Sequence, residues 1–156
     1  MGIGEFKYSG DQEAVLKTYG LGSCVALVVT SEVPSRAAMV HIALPDSTVN
    51  PAKAAVLPGY FVDTAVPLLF EWIDSCGGRG RHRFSYHLYG GASILDENHR
   101  FDIGRRNVLA VKRLLWRFGC GITREDVGGS SSRTISVSVA DRDVHVMYGR
   151  KQPSKG

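Results

Sequence analysis

The sequence predicts an α+β fold built in layers, and three of its features carry that expectation. Pairs of short apolar runs are separated by tight turns, which makes them antiparallel hairpins. Two longer segments repeat apolar residues every three or four positions, the period of an amphipathic helix. Strands outnumber helices, and 156 residues are enough for one domain with a continuous core. Residues 1–150 are read as that single domain and 151–156, ending in KQPSKG, as a flexible C-terminal tail.

Taken in order, the first ten residues look weakly structured. Cys24 to Thr30 (CVALVVT) is a nearly continuous apolar run, suited to a strand buried on both faces. Pro34 sits in a turn from Ser31 to Ser35, and Ala37 to Leu44 (AAMVHIAL) returns as the partner strand until Pro45 ends it. A polar, proline-containing loop spans Asp46 to Gly59. Phe61, Val62, Ala65, Val66, Leu69, Phe70 and Ile73 then mark the first helix. Pro67 fits near its first turn if Thr64 is the cap, and predicts a kink otherwise. Gly77 and Gly78 stop the helix, and GGRGRHR is a turn. Phe84 to Tyr89 alternates with period two and runs into Gly90-Gly91. Asp102 can cap the second helix, Val108, Val111, Leu114, Leu115 and Phe118 form its apolar stripe, and Gly119 closes it. Thr134–Val139 and Val144–Tyr148 flank Asp141–Asp143 as a last hairpin.

Composition narrows the function classes. Hydrophobic residues make up 44% and charged residues 22% of the chain, ordinary values for a soluble globular protein. No apolar run approaches the roughly 18–20 residues of a membrane helix, and MGIGEFKYSG has no apolar leader core, so the cytoplasm is the expected location. Cys24, Cys76 and Cys120 are too few and too dispersed for a disulfide framework, and no CxxC pair offers zinc a site. No metal or cofactor is expected. A net charge of +4, much of it in Arg79, Arg81, Arg83, Arg105, Arg106 and the tail, permits nucleic-acid binding but reads more readily as solvated loops and helix faces.

One stretch, Thr18 to Ala26 (TYGLGSCVA), brings two glycines and a serine up to a cysteine. A cysteine opening an apolar strand is ordinarily packing. The glycines, however, allow a tight turn that presents the thiol, and the N–H groups around Gly22 and Ser23 could hold an oxyanion. A thiol nucleophile needs a base, and an imidazole can stabilise the thiolate as an ion pair and later return its proton. Among the five histidines, His82 and His99 fall in polar loops, and His145 is a weaker second candidate for the base. His41 lies inside an apolar strand, where burial costs free energy unless something hydrogen-bonds it. A turn centred on Val33-Pro34 places position 41 opposite 25 or 26, beside Cys24. Otherwise His41 is a core histidine satisfied by a carbonyl. Thr18 stands six residues before Cys24 (24 − 18), where its hydroxyl could orient the imidazole. Asn107, near the start of the second helix, reads as structural more readily than as a substrate contact.

Thr18–Val25 (TYGLGSCV) resembles the opening signature of the chemoreceptor glutamine deamidase family (CheD). His41-Ile42-Ala43-Leu44-Pro45 is similar to the family's histidine-x-x-leucine-proline element, 17 positions on (41 − 24). Tyr60–Ala65, Leu88–Ala92, Ile103–Val108 and Asp126–Gly129 followed by Arg133 resemble its later motifs, in order, from about residue 14 to 148. Two departures occur: His87 stands where the family carries a lysine, and Ser130–Ser132 precede Arg133 where a glycine is usual.

The resemblance implies an α/β/β layered sandwich with two main helices and mostly antiparallel strands, similar to cysteine-dependent deamidase toxins. It implies hydrolysis of particular glutamine side chains in methyl-accepting chemotaxis receptors, giving glutamate and ammonia. Cys24 would be the nucleophile, His41 the general acid/base and Thr18 its orienter, with a glutamyl methyl ester as a further substrate of the same machinery. A CheC-type phosphatase is the second partner implied. Two rivals stand beside this reading. One is a non-catalytic adaptor that docks to receptor or phosphatase. The other is a nucleic-acid module that uses GGRGRHR and binds in a salt-dependent way.

Overall fold

Glu32 faces Ser35 across a two-residue turn, Val33-Pro34, and from there two strands run back in an uninterrupted antiparallel ladder. These are β3 (Val25–Glu32) and β4 (Ser35–Ile42). In the computed structural model, which describes residues 1–77, 80–93 and 102–149, they form the middle of a five-stranded sheet. Its order is β1-β4-β3-β5-β6, with β1 at Phe6–Ser9, β5 at Phe84–Gly90 and β6 at Arg124–Val127. All its pairings are antiparallel except β5 with β6. A second, antiparallel sheet has the order β2-β7-β8, from Val15–Leu21, Arg133–Ser138 and Val144–Tyr148.

The alternation of β3 explains the layering. Val25, Leu27 and Val29 point to one side, where they meet Val62, Val66, Leu69 and Ile73 of α2 (Val62–Ser75) and Val108, Val111 and Leu115 of α3 (Ile103–Arg117). Ala26 and Val28 point the other way, to Ile135 and Val137 of the second sheet. A strand with an apolar core on each face reads as a continuous apolar run, as CVALVVT does. The architecture is therefore α/β/β, as expected.

Several local expectations need correction. The first ten residues are ordered: Phe6–Ser9 pairs with Val40–Ala37 of β4, along the sheet's edge. Thr18 and Gly20 lie in β2 rather than in a free turn, with the ladder shifted between Thr18 and Leu21 and Gly20 at φ +62°. The loop Asp46–Gly59 holds a short helix, α1 (Pro51–Val56), because Asn50 accepts from Lys53 N at 3.1 Å and Pro51 is preset for a first turn. Pro67 is the sixth residue of α2 rather than part of its first turn, and Thr64 does not cap: its hydroxyl donates to the carbonyls of Pro58 and Phe61. Asp102 occupies the cap position of α3 but is left-handed at φ +44° and makes no capping side-chain bond. Strand β6 (REDV) has no apolar alternation to announce it. Gly78, Arg79, His99 and the tail fall outside the described residues.

Candidate active site

His41 follows Ala37 and Met39 on the face of β4 that looks toward the second sheet, and it is 2% exposed. Thr18, fully buried on β2, comes across from that second sheet to meet it. Its Oγ1 lies 2.7 Å from His41 Nδ1 and also donates to the Met1 carbonyl at 3.0 Å. A hydroxyl has one hydrogen, and a carbonyl can only accept. With that hydrogen given to Met1, Oγ1 must accept from His41 Nδ1–H, which leaves Nε2 unprotonated. Nε2 is buried and has no hydrogen-bond partner among the described residues. A buried imidazole held at one nitrogen, with a lone pair left on the other, has the form that a general base needs.

Cys24 stands immediately before β3. Ala26 is the residue opposite His41, so Cys24 is two residues along on the same face. Diagonal neighbours of this kind sit roughly 7–8 Å apart at Cα, within reach of an imidazole. The thiol is half-buried against the same inter-sheet layer. Cys76 is half-buried beside α2 and Cys120 buried at 3.4 Å from the Tyr86 hydroxyl, both free and both packed into the helical core.

Burial sets the charge state of the pair. It pushes the Cys24 thiol above its ordinary value, partly offset by the residue's own N–H. It also pulls His41 from 6.5 to about 4, helped by the positive charge of the amino terminus. Burial disfavours the charged form of both groups, which favours S–H and neutral imidazole at rest over the ion pair that a thiol–imidazole pairing suggests. A pH dependence follows. With His41 as the base, kcat/KM should stay level through pH 6.5 and fall only as pH drops toward about 4. Over the same window the unfolded chain takes up a proton that the folded protein refuses, so stability also declines as pH falls from 6.5 to about 4. A pH–rate profile with circular dichroism at each point checks both, and an acidic limb centred near 6.5 would contradict the assignment.

The turn that carries Cys24 is held by its carbonyls. Ala92 N–H donates to Gly22 O at 2.8 Å and Gly91 N–H to Cys24 O at 2.9 Å, while Asn107 Nδ2 donates to Ser23 O at 3.0 Å. Gly90 brings this loop into contact: at φ +103°, an added Cβ would lie 2.3 Å from Cys24 O. Gly90→Ala should cost about 2 kcal/mol or more, from left-handed strain plus displacement of backbone. The measurement is a lowered urea midpoint at unchanged m, and an unmoved midpoint would refute the contact.

The remaining candidates lie elsewhere. His145 is exposed on β8 and His82 exposed before β5. His87 is buried on β5 with Nδ1 unpartnered among the described residues, opposite Val28 and so farther along β3 than Ala26. Arg81 stacks on Phe70 and Phe118 and donates to Phe118 O, so part of its side chain is engaged in packing. A cleft of about 570 Å³ is lined by Thr30, Glu32, Arg83, His87, Arg124 and Arg142. Its Thr30 lies six residues from Cys24, roughly 20 Å along the strand. Among the described residues, no three His, Cys, Asp or Glu side chains converge as a metal site would require. Met1, whose carbonyl anchors Thr18, carried no signal in the sequence, because a main-chain acceptor has no residue type.

Comparison with known proteins assigns the chain independently of this geometry. The family model described as CheD chemotactic sensory transduction matches residues 43–148, a span that begins beyond Thr18, Cys24 and His41. A probable chemoreceptor glutamine deamidase CheD of Syntrophotalea carbinolica is 46% identical over 140 residues, covering 89% of this chain and 86% of the relative. A similarly named protein of Solibacter usitatus is 38% identical over 97% of this chain and 89% of its own length. The chemoreceptor glutamine deamidase CheD of Thermotoga maritima is 38% identical over 89% of this chain and 84% of its own. On these matches, over most of its length, the chain belongs to the CheD family.

Proposed function

We propose that this protein is a chemoreceptor glutamine deamidase that acts in the cytoplasm through a thioester on Cys24. The observation that carries the reading is the Thr18–His41 hydrogen bond, which leaves His41 Nε2 free and unprotonated on the face that Cys24 shares. The thiol proton passes to Nε2 as sulfur attacks the glutamine Cδ. The tetrahedral oxyanion is received by main-chain N–H groups of the Gly22–Ser23–Cys24 turn. Protonated His41 returns its proton to the departing nitrogen, so ammonia leaves and the γ-glutamyl thioester remains. Neutral His41 then takes a proton from water, the hydroxide adds to the thioester, and glutamate and the free thiol are regenerated.

A glutamyl methyl ester fits the same route, with methanol leaving in place of ammonia. The net charge of +4 suits encounter with a receptor helix rich in acidic residues, as steering rather than as specificity. A CheC-type phosphatase partner rests on family membership alone.

Intact-mass analysis of a receptor cytoplasmic fragment after incubation tests the proposal. Each modified glutamine adds about 1 Da, the amide-to-acid change of hydrolysis, and the gain should be absent with Cys24→Ala. A fragment whose mass does not change, while it still binds the protein, would point instead to a non-catalytic adaptor.

A further inference from the structure

The β3–β4 ladder has its last rung at Val25–Ile42, one residue short of the nucleophile. Beyond it the strands part: Ala43 N–H and Leu44 N–H turn to the Tyr60 carbonyl, at 2.9 and 3.2 Å. The side chain of Asn107, fully buried in the second turn of α3, fills the gap. Its Nδ2 donates to Ser23 O at 3.0 Å and to Ala43 O at 2.9 Å, using both of its hydrogens. It is the only side-chain bridge among the described residues between the segment that precedes Cys24 and the segment that follows His41. Its own Oδ1 is buried without a partner among the described residues, a penalty that a residue selected for packing alone need not carry.

The geometry of a trans peptide gives this bond a chemical meaning. Ser23 C=O and Cys24 N–H belong to one planar unit and point in opposite directions. Holding the carbonyl toward α3 therefore aims the N–H away from it, toward the side on which Cys24 N–H lies against its own sulfur. Neither Ser23 N–H nor Cys24 N–H donates to another group among the described residues. α3 is brought close enough to hold the carbonyl because Gly104 packs on the Gly91 carbonyl, where a Cβ would come within 2.4 Å.

We infer that Asn107 is a positioning residue that fixes the Ser23–Cys24 peptide so that Cys24 N–H serves as an oxyanion donor. This rests on the deamidase reading above. Its test compares wild type with Asn107→Asp, which keeps the shape but offers acceptors where donors stood, and with Asn107→Ala, which adds no charge if the first variant does not fold. Two rates are measured on folded protein. One is ammonia release from a receptor fragment. The other is alkylation of Cys24 by iodoacetamide, followed by peptide mass to separate it from Cys76 and Cys120. Alkylation forms no oxyanion. The expected result is a fall in kcat of about 100-fold, KM within about threefold and an alkylation rate within about threefold. If both rates fall together, the turn has lost its nucleophile geometry and the oxyanion assignment is overturned. An unchanged kcat overturns it as well. An inactive wild type would overturn the deamidase reading first, whereas an active wild type with indifferent Asn107 variants sinks this inference alone.

Discussion

Cys24→Ala should release no ammonia above the uncatalysed background, and His41→Gln should lower kcat by about 10⁴-fold. The two losses have different causes. Alanine removes the nucleophile outright, so no thioester forms. Glutamine retains much of the imidazole's volume and can still donate to Thr18 Oγ1, so the buried contact at 2.7 Å has a successor. What glutamine cannot do is take the thiol proton and hand it to the leaving nitrogen. An amide nitrogen does not depart as an anion, so the proton donor is needed for C–N cleavage as much as the base is needed for attack. Measured kcat per folded molecule, with intact mass after quenching to look for trapped thioester, checks the assignment. A His41→Gln enzyme within about tenfold of wild type would mean that another group moves the proton.

How much of this was legible beforehand depends on sequence distance. The β3–β4 register is readable because a single proline-containing turn fixes it: 33 and 34 at the tip put 41 opposite 25 or 26, and the structure pairs it with 26. The apolar run CVALVVT likewise announced a strand buried on both faces, and the helical stripe of α3 appeared with its terminal glycine. What failed were features set by distant partners. The sequence brings Thr18 toward His41 by way of a glycine turn, whereas in the fold it arrives on β2, held by pairing with Ile135 on β7. Strand β1 has four residues and takes its place from distant partners, pairing along β4 and packing Phe6 and Tyr8 against Trp72. Asn107 looked like part of a helix start, and nothing local reveals that its amide spans two strand ends some 60 and 80 positions earlier. The rest charge of the thiol–imidazole pair also depends on burial, which a spacing of 17 residues does not contain.

Thr18→Val is the sharper test of the site, because it changes one oxygen for one methyl group. The side chain keeps its shape and its β-branch, so β2 and the inter-sheet packing have little reason to move. Two buried groups lose a partner at once: the Met1 carbonyl loses its donor and His41 Nδ1–H its acceptor. Leaving such groups unpaired should cost about 1–3 kcal/mol of stability. The catalytic loss should be larger than stability alone explains, about 100-fold in kcat. Without Oγ1 nothing keeps the proton on Nδ1, and the tautomer with Nε2–H has no lone pair to receive the thiol proton. Thr18→Ser restores the hydroxyl and should recover activity to within about fivefold while remaining less stable, since it lacks the methyl group. Nitrogen-15 shifts of the His41 ring separate position from packing: wild type and Thr18→Ser should show a protonated Nδ1 and a bare Nε2, and Thr18→Val a mixture. If all three proteins share one tautomer and Thr18→Val keeps its kcat per folded molecule, Thr18 is a packing residue and His41 finds its orientation elsewhere.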